Sequence, residues 1–226
     1  MGHKYLWLSY PLTESTSSYG DGERLNIEAK SSISKGDNSN TSKWILPNHL
    51  GTHIDFSRHF FNHGKTVDDY APEFWVFNSV LLIQVDLSRD MGRIITPEMV
   101  VPYIGEKAEI VLIKTGMGKY RNKRAYWEQN PGLSPEIGLL IRRDFPNIRV
   151  VGFDFISVSS WQHREIGREA HRAFLDPDGQ KGPILLIEDM DFSRIDDSVC
   201  IKRLIILPLR VTGTNGAPCT VIAEVS

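Results

Sequence analysis

Ile110-Val111-Leu112-Ile113-Lys114 sets four apolar residues in a row, three of them β-branched. A strand with one face in water alternates apolar and polar side chains, whereas an unbroken run suits a strand buried on both faces. Comparable short runs recur at Tyr5–Leu8, Val80–Leu87, Arg149–Phe153, Ile184–Ile187, Leu204–Leu209 and Thr220–Val225. Helical signals are fewer. Thr96-Pro97-Glu98 and Ser134-Pro135-Glu136 each offer a cap, a first-turn proline and an early acid ahead of apolar residues. A third candidate helix runs from Glu165 to Phe174. Strands outnumber helices, and the pattern predicts an α/β domain with a mixed β-sheet around one core and a few flanking helices.

The 226 residues (25.7 kDa) fit a single domain spanning 1–226, and 41 % hydrophobic against 24 % charged residues is ordinary for a globular chain. Twenty-six Lys and Arg against 28 Asp and Glu leave a formal charge of −2. No basic excess marks a surface for nucleic acid or anionic lipid, so neither partner is expected. Cys200 and Cys219 form no CxxC pair and read as two buried small hydrophobes. The N-terminal segment lacks the pattern of a signal peptide, and no apolar run reaches the roughly 18–20 residues that cross a bilayer. A reducing, cytoplasmic setting is the expectation.

Chemistry concentrates in His49-Leu50-Gly51-Thr52-His53-Ile54-Asp55-Phe56-Ser57-Arg58-His59. The polar, turn-rich segment Ser31–Ser42 shortly before it reads as a surface loop or a lid. In a helix His49 and His53 would stack on one face, but Asp55 would point away and Gly51-Thr52 is a poor interior. In a straight strand His49 and His53 would stand about 13 Å apart, too far to share one ion. The segment should therefore bend at Gly51, the residue able to adopt unusual dihedrals, and run on as a short strand with His53 and Asp55 facing the same way. Imidazole and carboxylate are ligands for zinc, manganese or iron, so the cluster reads as a metal site. His3 or His63 alone reads as a surface residue.

The string His49-x-Gly51-Thr52-His53-x-Asp55-x-x-x-His59 resembles the hallmark of the metal-dependent cyclase-like hydrolases, which include bacterial kynurenine formamidase and isatin hydrolase. Leu8-Ser9-Tyr10-Pro11-Leu12 is similar to the family's opening strand and Lys114-Thr115-Gly116 to the end of a central one. Tyr126 through Pro131-Gly132-Leu133-Ser134 is similar to its helix entry, and Gly152-Phe153-Asp154 with Ser157-Val158 to its central turn. Leu207-Pro208-Leu209, with Gly213 and Gly216-Ala217-Pro218, resembles its closing hairpin.

The resemblance implies a swivelling β/β/α-like fold with a partly barrel-like core. It implies a hydrolase that cleaves the C–N bond of a small amide, formamide or lactam with metal-activated water. His49, His53 and Asp55 would hold a divalent metal (Zn2+ or Mn2+, one or two per subunit), with His171 and Glu188 completing the set; His163 is a rival for His171 that lies outside the family pattern. His59 would be the general acid/base, and the assembly a homodimer or higher homo-oligomer. Two positions depart from the family. Ser57 stands where proline is usual, and serine can hydrogen-bond locally instead of stiffening the chain. Ser18-Tyr19-Gly20-Asp21 stands where the formamidases carry Trp before Pro-Gly-Asp, which makes Tyr19 a pocket edge. The spacing from His171 to Glu188 also exceeds theirs. Trp44 and Phe60 are further candidates for the wall of a substrate pocket. Lyase, cyclase or esterase chemistry on the same scaffold, or a non-catalytic metal-containing binding protein, are the alternatives.

Overall fold

The unbroken apolar runs form the middle of the sheet. In the computed structural model, which describes residues 4–87, 90–196 and 198–226, the strands in chain order are β1 (Lys4–Trp7), β2 (Asn26–Ser31), β3 (Thr41–Ile45), β4 (His53–Asp55), β5 (Val76–Phe77), β6 (Val80–Gln84), β7 (Ile94–Ile95), β8 (Ile110–Lys114), β9 (Gly132–Leu133), β10 (Val150–Phe153), β11 (Leu185–Glu188), β12 (Ile201–Pro208) and β13 (Gly216–Val225). Three α-helices accompany them: α1 (Ala125–Glu128), α2 (Pro135–Asp144) and α3 (Arg164–Leu175). His3 lies outside the described residues.

Nine strands form one mixed sheet in the order β5-β12-β13-β4-β11-β10-β8-β6, with β1 paired to β13. The β6, β8, β10 and β11 ladders are parallel, and β4, β5, β12 and β13 pair antiparallel. The sheet curls towards closure, with β12 near one edge lying against β6 at the other. Ile110 to Ile113, Val150, Val151, Phe153 and Leu185 to Ile187 are all fully buried, as continuous hydrophobic strands between two covered faces require. Burying each Leu, Ile or Phe side chain stabilises the fold by about 1.5–3 kcal/mol. Helices α2 and α3 pack together, and α3 lies against β9 and β11.

Three expectations are corrected. Thr96-Pro97-Glu98 does not open an α-helix: two 3₁₀ turns follow, Pro97–Met99 and Val101–Tyr103, because Pro102 removes a backbone donor and its ring crowds a continuing helix. Ser31–Ser42 is not wholly a loop or lid. Its ends belong to β2 and β3, an exposed two-stranded hairpin with a 3₁₀ turn at Ile33–Lys35 in its connection. Cys219 is buried as expected, but Cys200 is exposed. The bend at Gly51 is present: its φ of +66° lies in the left-handed region that favours glycine, and the chain leaves it to enter β4.

Candidate metal centre

Strand β4 has only three residues, yet it sits between two long-range neighbours. Glu188 of β11 stands directly opposite His53, and Gly216 of β13 opposite Asp55. Because strand side chains alternate, His53 and Asp55 share a face, and α3 brings His171 to it. Asp55 becomes the hub. Its Oδ1 lies 2.8 Å from His49 Nδ1 and 3.4 Å from His53 Nε2, and its Oδ2 lies 3.5 Å from His171 Nε2. Glu188 Oε2 is 3.4 Å from His53 Nε2, and Glu188 Oε1 is 3.9 Å from His171 Nε2. His53, Asp55 and Glu188 form one compact trio of donor atoms; His49, Asp55 and His59 form another that shares Asp55.

Each imidazole is oriented by its second nitrogen. His53 Nδ1–H donates to the Gly51 carbonyl at 2.9 Å, and His171 Nδ1–H to the Gly167 carbonyl at 2.8 Å. Both then turn Nε2 towards the carboxylates, the arrangement typical of histidines that hold metals. His49 Nε2–H donates to Asn215 Oδ1 at 3.0 Å, and Asn48 Nδ2–H donates to that same oxygen at 2.6 Å. Glu188 Oε1 accepts from the Val158 N–H at 2.7 Å and from the Ser157 hydroxyl at 3.2 Å. Directly after it, Asp189 has a φ of +55° and is fixed by Arg121 Nη2 at 2.7 Å and by the Tyr126 hydroxyl. The Arg121 guanidinium rests 4.1 Å from the centre of the Tyr10 ring. Asn215, Asp189 and Arg121 were not legible as site residues, since each acts through a partner far away in sequence. The available signals were Asn215 next to the Gly216-Ala217-Pro218 of the closing hairpin and Asp189 next to Glu188.

The donor set fits a cation. Asp55 Oδ2 is buried and receives no hydrogen bond. Burial works against the charged form of His53, but Asp55 and Glu188 outweigh it and lift its pKa to about 9. His171 is raised against the same opposition, by Asp55 first and then Glu188. Burial also opposes ionisation of Asp55, yet the surrounding imidazoles, His171 foremost, hold its carboxyl well below the usual range. Burial and the Asp55 charge push Glu188 up. Two carboxylates in a dry site thus draw positive charge onto their neighbours. A divalent ion would supply that charge through nitrogen and oxygen donors suited to it.

His59 differs from the other three. It lies on the 3₁₀ turn Ser57–His59, tilted over the His49 ring at 4.1 Å and edge-on to His171 at 5.5 Å. Among the described residues its ring nitrogens make no hydrogen bond. Burial pushes its pKa down to about 4, only partly offset by Asp55. His59 lines a cavity of about 330 Å3 together with Tyr19, His49, His53, Asp55, His171 and Glu188.

Phe60 does not line that cavity; it stacks on the His171 ring at 4.5 Å and supports the imidazole from behind. Trp44 is 65 % exposed on β3 and borders a separate apolar hollow with Leu12, Leu25, Ile27 and Leu209. His163 is exposed just before α3 and, unlike His171, does not line the cavity, and His63 pairs with Asp178 at the surface at 2.8 Å. The local hydrogen bond open to the Ser57 side chain is not formed: its hydroxyl is buried without a partner. At Gly216 an added Cβ would fall 2.3 Å from His49 Cε1. Gly216→Ala is therefore expected to dislodge His49 and weaken metal retention at least tenfold, measured by metal content after dialysis against a graded chelator; full retention would show that the His49 ring is not held there.

Residues 6–160, more than half of the chain, match the Cyclase family, described as "Putative cyclase", and the chain belongs to it. Cyclase-like protein 3 of Oryza sativa subsp. japonica is 30 % identical over 207 residues, covering 88 % of this chain and 70 % of that protein. A kynurenine formamidase of Bacillus cereus is 25 % identical over 215 residues, covering 95 % and 94 %. Among solved structures, isatin hydrolase A from Labrenzia aggregata superimposes with a TM-score of 0.79 at 20 % identity, covering 98 % of this chain and 93 % of that one, and so shares the fold.

Proposed function

We infer that residues 1–226 act as one domain, a metal-dependent hydrolase that cleaves the C–N bond of a small amide, formamide or lactam. The observation that carries the reading is the contrast within the histidine cluster: three imidazoles are oriented towards buried carboxylates, while His59 lines the cavity with both nitrogens unengaged. The name of the Bacillus cereus relative, kynurenine formamidase, supports the same reading.

His49, His53, Asp55, His171 and Glu188 would hold zinc or manganese, one or two ions per subunit, with Asp55 the carboxylate common to both groups of donors. An ion held there supplies Lewis-acid polarisation of the carbonyl and a water acidified towards neutrality. The chain's own residues do the rest. His59 takes the proton that water loses as its oxygen bonds to the carbonyl carbon, and returns it to the nitrogen as the C–N bond breaks. Tyr19 bounds the cavity, and Phe60 and Asn215 keep His171 and His49 in register. Incubation of the metal-loaded protein with formanilide and isatin in oxygen-18 water tests the reaction: label in the carboxylate product is expected. Loss of substrate without label would indicate a lyase or cyclase.

We also place the protein in a reducing, cytoplasmic compartment as a homodimer. Among the described residues no helix is long and apolar enough to cross a membrane. The β2–β3 hairpin exposes Ile27, Trp44 and Ile45 beside exposed Leu207 and Leu209, an apolar patch that a second copy would cover. Trp44→Glu is expected to convert dimer to monomer in sedimentation velocity at micromolar protein. A wild-type monomer under those conditions would overturn the assignment.

A further inference from the structure

The positive charge on the rim of the cavity plays no part in the chemistry above. Arg164 and Arg168, one turn apart on α3, line the cavity with Ser17 and Tyr19. The carboxylates that line it, Asp55 and Glu188, already belong to the donor set. The Arg164 guanidinium carbon lies 3.4 Å from the centre of the Trp161 ring, and among the described residues this arginine has no ion pair. Arg168 has only Glu165, 3.6 Å away, with the two side chains 58 % and 90 % exposed; an exposed pair of this kind is weak and easily exchanged. Tyr19 meets Trp161 edge-on at 5.3 Å, and its hydroxyl is buried without a hydrogen-bond partner. A guanidinium held by stacking is preorganised for a carboxylate. A buried hydroxyl left unpaired carries a cost that a ligand oxygen would relieve.

We propose that Arg164, Arg168 and Tyr19 bind a carboxylate carried by the substrate away from the bond that breaks, so that the enzyme selects anionic amides over neutral ones. The inference rests on the hydrolase reading and names its substrate class. The cavity of about 330 Å3 is near the small end of the range for ligand sites, ~300–1,000 Å3, and suits a compound of about one ring. The anion is drawn in by the arginines and held at the rim, which turns the opposite end of the molecule towards His59.

The test compares formanilide with ortho-, meta- and para-formamidobenzoate, using the metal-loaded wild type and the Arg164→Met/Arg168→Met double variant. The wild type is expected to prefer at least one of the acids over formanilide by about tenfold or more in kcat/KM. In the double variant that preference collapses through a rise in KM for the acid, and Arg164→Lys/Arg168→Lys restores part of it. Equal use of acid and formanilide by the wild type, or a preference untouched in the double variant, overturns the proposal. A second measurement does not depend on turnover: calorimetric binding of meta-aminobenzoate to both metal-loaded proteins, with metal content checked. At least tenfold weaker binding by the double variant supports the rim as the anion site, and unchanged binding overturns it. Absence of hydrolysis with every formamide, alongside arginine-dependent binding, would instead remove the hydrolase reading and leave the anion site standing.

Discussion

His59→Ala is expected to lower kcat by about a hundred- to ten-thousandfold, the usual range for loss of a positioned proton-transfer group, while the protein keeps its metal. The structure sets up this split. His49, His53 and His171 each spend one nitrogen on a fixed acceptor and turn the other towards a carboxylate, whereas His59 makes ring contacts alone. Yet its donor atom also falls within the compact trio with His49 and Asp55, so metal content and turnover must be measured on the same preparation. Metal retained with turnover lost supports a proton carrier. Loss of one ion equivalent with the turnover would make His59 a ligand and sink the assignment.

The second large effect is expected at Asp55. Asp55→Asn keeps the shape but removes the charge around which His49, His53 and His171 are arranged. Replacing residues that merely support metal ligands costs about ten- to a hundredfold in affinity, so loss of this hub should exceed a hundredfold and abolish turnover. Stability reports it independently of activity. An ion present at a hundred times its Kd stabilises the fold by about 2.7 kcal/mol, which for a chain of this size is roughly 5–10 °C in Tm. The wild type should lose that increment when a chelator is added. Asp55→Asn should melt at one temperature with or without chelator; a variant that still responds as the wild type does would show that the ion is held elsewhere.

What could be read in advance follows from how local each signal is. The strands β8, β10 and β11 were legible because an unbroken apolar run needs no knowledge of its neighbours. The bend at Gly51 was legible because His49 and His53 could not otherwise approach each other. His171 and Glu188 were reachable only through a family pattern, since nothing within their own segments points to residues more than a hundred positions earlier. Asn215, Arg121 and Asp189 escaped for the same reason, with no pattern to bring them in. Trp44 shows the reverse error. It is close to His49 along the chain, but β3 belongs to an exposed hairpin and Trp44 borders a separate hollow. Pro102 is a local signal too, and it outweighs the helix start at Thr96-Pro97-Glu98 by breaking the chain into two short turns.

The three residues of β4 are also the seam between the antiparallel part of the sheet and the parallel part. Mutational drift cannot readily separate the chemistry from the architecture there. A descendant that abandoned the reaction would still need a short strand at that place, zipped on both edges, with its inward side chains accommodated by whatever replaced the ion. Retired members of this lineage should therefore keep the cadence of this stretch long after they stop turning over anything.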